Sequence, residues 1–436
     1  MQNPGSETEN TIIETAGAIL SDGTAIELVS PASGDTPQLL KWNGEKAVIA
    51  PQVEHAGKSF RPPSLPASIF RATRLPTGVV DFGTPEELMA DTRCLFETHL
   101  GCSTGEAALL TAWSVSTWFS DLLPSPCTLF LHGFDMDQAI GLFRLLACTG
   151  RHPLLLTEIT RPALASLMAL RPTLLLNQPR MPSRLLDLVC AANYRGLVVP
   201  GSRGAVIDLV GSRAIFLGMD GASYTGRNQG LHVGVPPARR DFLPLDETAQ
   251  RRTAEHFQPR LLMYRLLRSQ EVRQSRFDVN GSTSQTSGLG RTLEACVPDS
   301  GEFRAQWLPL LQLQEQAALA ERLCDPCAAV IEVMWPRLHA NEKGVSTKEL
   351  TEFTNTLLCT RGEHREYSCE EIGKKMQSLG LHRHRRGPGM VVVFDRDTSR
   401  RMHMLAGSFG VCKAVAGCPE CEATQIIAQQ EIVQGV

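Results

Sequence analysis

Two apolar segments, each followed by residues that could bind phosphate or metal, carry the clearest chemical pattern in the sequence. The first segment, 127–131, leads into His132, Gly133 and an amphipathic helical pattern. Strand, glycine turn and helix is the order of a P-loop, whose backbone N–H groups hold phosphate oxygens. The second segment, 173–176, is followed by Asn177 and Gln178. An active P-loop enzyme carries acids there to hold magnesium and orient the attacking water. The pattern therefore predicts a nucleotide-binding core whose two acids have become amides.

The glycine turn also lacks the phosphate-binding and magnesium-binding side chains of an active P-loop. With Gly133 aligned as the first glycine of G-x-x-x-x-G-K-[ST], Ala139 stands at the phosphate-binding lysine and Ile140 at the magnesium-binding hydroxyl. Asp135 and Asp137 would add negative charge beside the phosphates. The vestigial nucleotide-binding positions are Gly133, Gln138, Ala139, Ile140, Asn177 and Gln178. We expect neither a catalytic residue nor a bound cofactor here, and no ATP hydrolysis.

The strands and helices that must position these residues are predicted by local patterns along the chain. Thr84 and Glu87 form a capping box at the start of a helix predicted over 85–99, and a second helix is predicted over 104–121. Short apolar strands then alternate with helices as far as Leu217. This alternation predicts a parallel sheet covered by helices on both faces.

Different patterns lie on either side of this core. Near the N-terminus, Asp22-Gly23 predicts a hairpin turn between short strands. After the core, residues 251–277 are rich in arginine, which favours a helical lid with a solvated face over phosphate or DNA contact. Pro259 is expected to divide this lid into two helices. The segment 280–290, rich in glycine, serine and threonine, is predicted to be an exposed linker.

The C-terminal part predicts a winged helix, a helix-turn-helix variant with a two-stranded ribbon. Ser346 and Ser368 each begin a capping-box helix, and a β-rich segment follows the glycine turn at 386–389. Basic side chains lie on the candidate recognition helix and on the wing. The candidate DNA-binding residues are Lys374, Lys375, Arg383, Arg385 and Arg386. Phosphate contact requires such a basic face, although winged helices also dock proteins.

Two C-x-x-C pairs have the spacing of zinc ligands. They are Cys324 with Cys327 and Cys418 with Cys421, separated by about ninety residues. Cys412 and His403 offer a local alternative for completing a set with the second pair. Because no second pair lies at the usual distance, unligated thiols are favoured and no metal is expected.

Composition sets broad limits on function. The chain has 436 residues, 42% of them hydrophobic and 20% charged, which is typical of a globular protein with several domains. A net charge of −3 gives no overall attraction to nucleic acid or membranes, so any such contact requires a local patch. The polar N-terminus shows no secretion signal, and the apolar window 107–119 favours a buried helix over a membrane span. Thirteen cysteines in this setting predict reduced thiols and a cytoplasmic location.

The order of these features resembles the P-loop ATPase domain of phage- and plasmid-type primase-helicase proteins and their uncharacterised bacterial relatives. The resemblance covers about residues 75–240. It includes the segment 75–85, the tryptophan-bearing helix from Thr111 to Phe119, the strand before Gly133, and the segments 171–176 and 195–200. It implies a RecA- or AAA-like fold, and active members hydrolyse ATP to move on DNA.

We therefore expect an α/β protein with a RecA/AAA-like P-loop core, a small β-rich N-terminal unit, a helical lid and a C-terminal winged helix. The expected divisions are 1–75, 76–245, 246–324, 325–412 and a tail at 413–436. The favoured function is that of an inactive ATPase-derived protein that binds DNA or a DNA-processing protein. The alternatives are a structural assembly subunit that uses the winged helix for docking, and a helicase-like ATPase with atypical motifs. Homo-oligomers are allowed, and no membrane partner is expected.

Overall fold

The computed structural model describes residues 12–31, 36–191, 193, 195–200, 206–218, 230–237, 245–275, 285–299, 301–386, 389–410 and 412–422, without the side chains of 285–287 and 319. The chain divides into two compact units. The first comprises Met1–Phe277 and Leu289–Leu311, and the second comprises Asp278–Gly288 and Gln312–Val436. Among the described helices, none combines the length and the apolar character that a membrane span requires.

The first unit begins with two small sheets. Strands β1 to β7 are Ile12–Glu14, Gly17–Ile19, Ala25–Val29, Gln38–Trp42, Ala47–Ala50, Val53–His55 and Lys58–Arg61, followed by helix α1 at Ala67–Ala72. One sheet is antiparallel with the order β2-β3-β4-β5, and the other has the order β1-β7-β6. The predicted hairpin at Asp22-Gly23 is confirmed, since it joins β2 to β3 and Gly23 has a φ of +89°.

A five-stranded sheet forms the centre of the first unit. Strands β8 to β14 are Thr128–His132, Pro153–Leu156, Thr173–Leu176, Val198–Pro200, Val206–Asp208, Arg213–Phe216 and Gly230–Gly234. The order is β14-β8-β13-β10-β9, and all neighbouring strands are parallel. The predicted parallel sheet is thus confirmed. Strands β11 and β12 form a separate antiparallel ribbon.

Helices pack on this sheet, and the last two helices in this part of the chain include residues of both units. Helices α2 to α9 are Pro85–Leu100, Thr104–Thr117, Met136–Thr149, Arg161–Leu167, Ser183–Ala191, Glu247–Gln274, Gln285–Glu294 and Gly301–Leu323, with a short 3-10 helix at Met168–Leu170. The capping box of Thr84 and Glu87 is confirmed at the start of α2. Helix α3 is buried along most of its length, as predicted for the apolar window there.

The expected division of the arginine-rich lid at Pro259 is wrong. Helix α7 continues from Glu247 to Gln274 with Pro259 in its interior. A proline there removes one backbone hydrogen bond, whose acceptor would be the carbonyl of Glu255. Glu255 is exposed, so water can satisfy that carbonyl, while Phe257 and Leu261 are buried on either side of the proline. Packing on both sides of Pro259 therefore outweighs the local preference for a break.

The predicted linker lies partly outside the described residues. Residues 280–284 are among those not described, and α8 begins at Gln285. The part of the predicted linker from Gln285 to Gly290 is therefore helical, which corrects the expectation for those six positions. Glycine and serine in a sequence favour a loop, but they do not prevent a helix when its apolar side is covered.

The second unit combines helices with a small antiparallel sheet. Its elements after α9 are α10 Pro326–His339, β15 Gly344–Ser346, α11 Thr347–Thr360, α12 Cys369–Ser378, β16 Arg383–Arg386, β17 Gly389–Val393 and α13 Arg396–Phe409. The sheet order is β15-β17-β16. The predicted capping boxes at Ser346 and Ser368 are confirmed. Gly344 has a φ of +157°, and any Cβ there would overlap the carbonyl of Val392 on β17.

Four charged side chains are buried together in the first unit, and we call them the buried ion cluster: Glu27, Asp121, Arg151 and Arg265. Glu27 accepts from Arg151 at 2.9 Å and from Arg265 at 2.8 Å. Asp121 accepts from Arg265 at 2.7 Å. Burial opposes ionisation of Asp121, but Arg265 and Arg151 outweigh it and hold its pKa below the ordinary value. Two carboxylates therefore balance two guanidinium groups inside the protein.

Candidate functional site

The carboxyl ends of the parallel strands form a cavity at the predicted vestigial nucleotide site. The segments after β8, β9, β10 and β13 line this cavity, whose volume is about 640 Å³. Phe134, Met136 and Phe216 contribute apolar walls, and Glu158 and Arg180 contribute opposite charges. Ligands of open parallel sheets bind outside the carboxyl ends of the strands, and the volume suits a small molecule. No lysine is among the described residues that line the cavity.

The helix that begins at this cavity has a carboxylate at its N-terminus. Only Gly133, Phe134 and Asp135 separate β8 from α4. Asp135 caps α4, because its Oδ1 accepts a hydrogen bond from the backbone N–H of Gln138 at 3.1 Å. Asp137 adds a second acid in the first turn. A phosphate would normally accept from these N–H groups and gain from the helix dipole. Here a carboxylate occupies that position and repels a further anion.

Gly133 lies against the segment that follows β14. A Cβ on Gly133 would come within 3.1 Å of the Cβ of Val235 and 3.3 Å of its carbonyl oxygen. The N–H of Val235 donates to the carbonyl of His132 at 2.7 Å, which holds the two segments together. The glycine thus permits close backbone packing. This packing is a reason for glycine at position 133 that does not involve phosphate.

Most of the other predicted nucleotide positions do not line the cavity. Ala139 is fully buried and Ile140 half-buried, both within α4. Asn177 is buried at the end of β10, and its Oδ1 has no hydrogen-bond partner among the described residues. Gln178 lines the cavity, and its Oε1 accepts from the N–H of Ile159 at 3.4 Å. Gly133 and Gln178 are therefore the two of the six positions that line the cavity.

A pair of histidines lies at the same edge of the sheet. Nε2 of His132 is 2.7 Å from Nδ1 of His232, and the two rings stack with centroids 5.0 Å apart. His132 ends β8 and His232 lies in the neighbouring strand β14. Sequence reasoning gave no reason to pair residues 100 positions apart. The pairing shows that His132 is held by a structural hydrogen bond.

The candidate nucleic-acid surface is a basic segment of the second unit, and we define the basic segment as residues 372–394. It contains five lysine or arginine residues and no aspartate or glutamate. It spans most of α12, the edge strand β16, and β17. Arg385 and Arg386 are exposed on β16 and form no ion pair with the residues that the structure describes. Unpaired, exposed arginines of this kind suit contact with phosphates.

The other three predicted DNA-binding residues each contact a neighbouring residue of the second unit. Lys374 is exposed but forms a 2.7 Å ion pair with Glu370 one turn earlier in α12, and this hydrogen bond raises its pKa. Lys375 lies over the ring of Tyr367 at 5.5 Å. Arg383 is half-buried and its guanidinium lies over Gly373, where no Cβ would fit. The structure therefore brings all five residues to adjacent elements, and Arg385 and Arg386 are both exposed and without an ion pair among the described residues.

The two cysteine pairs occur in different surroundings. The Sγ of Cys324 is 3.9 Å from the carbonyl of Arg361, and Cys327 packs against the core of the second unit. Cys418 and Cys421 instead lie beside His403 and His339. Neither Cys324 nor Cys327 belongs to a group of metal-ligand side chains among the described residues. The sequence identified one true neighbour of the second pair, His403, and missed His339.

Comparisons with known proteins assign neither a family nor a fold to this chain. No protein-family model matches the chain, and no curated protein sequence does. Two solved structures, both described as the A form apo structure of the NrS-1 C-terminal region, match 84% of this chain and 96% of their own. Their TM-scores are 0.36 and 0.35, with 9% and 10% sequence identity. These values establish no family. What the described residues define is a mixed α/β protein with a parallel central sheet.

Proposed function

We propose that this chain is an ATPase-derived protein that does not hydrolyse ATP and that binds duplex DNA through a winged-helix module in its second unit. The observation that carries the proposal is the basic segment, where Arg385 and Arg386 are exposed on an edge strand without acidic neighbours in sequence. Phosphate contacts need accessible cations of this kind, because the overall charge of −3 gives the whole chain no general attraction to DNA.

The order of elements in the second unit supports the winged-helix assignment. Helix α10 is followed by β15, α11, α12 and the paired strands β16 and β17. The sheet order β15-β17-β16 places β16 at an edge, and the antiparallel pair of β16 and β17 would form the wing. In helix-turn-helix proteins the second helix of the motif contacts the major groove, which would assign that role to α12.

The central sheet supports an ATPase-type origin for the first unit. All five strands are parallel, and β8 lies inside the sheet between β14 and β13. Helix α4 begins directly after β8, at the edge where such sheets bind ligands. The resemblance noted in the sequence points to the same arrangement. The proposed loss of hydrolysis rests on the side chains at the motif positions: Ala139 replaces the lysine, and amides replace the acids at positions 177 and 178.

We expect no magnesium-dependent ATP hydrolysis by the purified full-length protein, and at best weak ATP binding. The carboxylate of Asp135 already occupies the start of α4, and the cavity lining offers no lysine among the described residues. Phosphate release with and without Mg²⁺ measures this directly. Turnover well above a blank that disappears in a Gly133→Val variant would instead support a helicase-like ATPase with atypical motifs.

We expect the Arg385→Ala/Arg386→Ala variant to bind a short duplex on the order of 10-fold to 100-fold more weakly than wild type at about 50 mM salt. Each lost phosphate contact removes one counterion-release contribution, so both arginines contribute to this loss. Fluorescence anisotropy with the full chain and a fluorescein-labelled duplex measures the affinity. The Lys374→Ala/Lys375→Ala variant should lose less, because Lys374 is already paired with Glu370.

A matched control is available in α7. Arg251 and Arg252 are also adjacent and exposed, so Arg251→Ala/Arg252→Ala removes the same charge from the helical lid. Its affinity should equal that of wild type. If only this control variant loses affinity, DNA binds the lid and the proposal for the second unit is wrong. If no variant changes affinity, the basic segment is a protein-docking surface, as the pairing of Lys374 and Lys375 with neighbouring side chains would allow.

A further inference from the structure

Four side chains with metal-ligand atoms converge in the second unit, and none of them belongs to the basic segment. They are His339, His403, Cys418 and Cys421, and we call them the His2Cys2 cluster. One ligand atom from each lies within 4.8 Å of all the others. Helix α10 ends at His339, α13 carries His403, and the two cysteines follow α13. Residues up to 82 positions apart in sequence are thus brought to one point.

The distances in the His2Cys2 cluster fit a tetrahedral zinc ion. Nε2 of His403 is 3.3 Å from Sγ of Cys418, and Nε2 of His339 is 3.3 Å from Sγ of Cys421. Zinc bonds of about 2.3 Å to sulfur and about 2.0–2.1 Å to nitrogen hold neighbouring tetrahedral ligands roughly 3.6 Å apart. Small adjustments of the side chains would therefore close the site around an ion. Two sulfurs and two imidazoles form a ligand set that is typical of structural zinc sites.

Both histidines are already oriented for coordination through Nε2. Nδ1 of His339 is 2.9 Å from the carbonyl oxygen of Trp335, and Nδ1 of His403 is 2.8 Å from that of Ser399. Glu420 approaches the same nitrogen of His403 at 2.9 Å. A hydrogen bond from Nδ1–H to a carbonyl or carboxylate fixes the tautomer in which Nε2 carries a free lone pair. Zinc-binding histidines generally have this second hydrogen bond.

The protein partly shields the cluster from solvent, with His339 and Cys418 half-buried. Cys421 and His403 are buried, and the Trp335 ring packs against both His339 and His403. The indole N–H of Trp335 donates to the carbonyl of Lys413 at 3.0 Å, which brings the segment before Cys418 onto α10. All four ligand positions come from the protein, which leaves no open position for a substrate. This arrangement is that of a structural zinc site.

We propose that His339, His403, Cys418 and Cys421 bind one zinc ion, which fastens the segment 412–422 to helices α10 and α13. Zinc binding displaces the two thiol protons, so that two thiolates and two neutral imidazoles surround the ion. The ion would add to the stability that the small apolar core gives the second unit. This core includes Val330, Met334 and Met402. The site is independent of the proposed DNA contact.

The test is the metal content and cobalt spectrum of the full-length protein. Protein expressed with added zinc and freed of loose metal by gel filtration should contain about one zinc per chain by elemental mass spectrometry. Cys418→Ser/Cys421→Ser and His339→Ala/His403→Ala should each retain less than roughly one tenth of that amount, because two of four ligands are lost. Replacing zinc with Co²⁺ in wild type should give the strong visible bands of tetrahedral cobalt.

Two further variants separate ligand loss from misfolding. Cys324→Ser/Cys327→Ser has the same C-x-x-C spacing outside the cluster and should keep the full zinc content. His403→Cys should still bind Co²⁺ and should add sulfur-to-cobalt charge-transfer absorption. The proposal is overturned if wild type gives neither zinc nor a tetrahedral cobalt spectrum. It is also overturned if the Cys324/Cys327 variant loses the metal, or if fresh protein holds a Cys418–Cys421 disulfide in place of an ion.

Discussion

Glu27→Gln should lower the free energy of unfolding of the first unit by about 3–5 kcal/mol, the cost of breaking a buried ion pair from one side. For a unit of this size, the loss corresponds to a fall in Tm on the order of 10 °C. Thermal unfolding followed by tryptophan fluorescence measures it, since Trp113, Trp118 and Trp307 are all buried in the first unit.

The reason for the large effect is charge balance inside the protein. Glutamine has nearly the shape of glutamate, so little packing is lost. The substitution leaves Arg151 and Arg265 facing the single carboxylate of Asp121, with one buried positive charge uncompensated. His152 adds no further positive charge, because burial and the nearby Arg151 lower its pKa and keep it neutral. The unmatched guanidinium group therefore pays its desolvation cost without a partner.

A second substitution distinguishes charge balance from loss of a particular contact. Glu27→Gln/Arg151→Met restores a one-to-one balance between Arg265 and Asp121, so its stability loss should be smaller than the sum of the two single losses. Glu45→Gln, at an exposed glutamate of the same β-rich part, should change stability by less than about 0.5 kcal/mol. Two results would contradict the role of the buried ion cluster. One is a loss of less than about 1 kcal/mol in the free energy of unfolding for Glu27→Gln, and the other is a loss in the double variant equal to the sum of the two single losses.

Ala139→Lys should destabilise the protein by at least about 3 kcal/mol and should not create ATPase activity. Although the sequence pattern puts this position at the P-loop lysine, Ala139 is fully buried in α4. A lysine there would overfill the packing around Leu142 and Phe143, at about 1–3 kcal/mol, and would bury an ammonium group at a further cost of several kcal/mol. Urea denaturation and a phosphate-release assay measure the two outcomes.

Met136→Lys is the matched control for this substitution. Met136 begins the same helix and is about half-exposed at 49%, so a lysine there reaches water. Its charge lies unfavourably at the N-terminus of α4, which should cost no more than about 1 kcal/mol. If Ala139→Lys were as stable as this control and hydrolysed ATP, residue 139 would face a working phosphate site, and the account of the cavity would be wrong.

Local sequence signals were sufficient for much of the fold. The capping boxes at Thr84, Ser346 and Ser368 form as predicted, because each depends on residues three positions apart. The parallel sheet also follows from the alternation of apolar strands and helices. The continuity of α7 through Pro259 did not follow, since it depends on packing against other elements rather than on the helix's own residues.

The candidate sites were harder to predict because their contacts are long-range. The glycine at 133 suggested phosphate, while its closest contact is Val235, about a hundred positions later. The basic segment was recognised from charge, but the engagement of Arg383 over Gly373 depends on how β16 lies against α12. His339 was not recognised as a ligand, because its cysteine neighbour in the structure, Cys421, lies 82 positions later in the sequence. Only the folded second unit brings it to Cys421.

The most direct test of the central claim is the salt dependence of DNA binding by the full-length protein. Anisotropy titrations of one duplex between about 50 and 200 mM salt give the slope of log affinity against log salt for wild type and for a variant with alanine at positions 374, 375, 385 and 386. We predict that the wild-type slope is steeper by roughly two to four units, since each phosphate contact contributes about 0.9 and the two lysines are expected to contribute less than the two arginines. Equal slopes for the two proteins, or no binding by wild type at about 50 mM salt, would contradict the proposal that the second unit binds DNA.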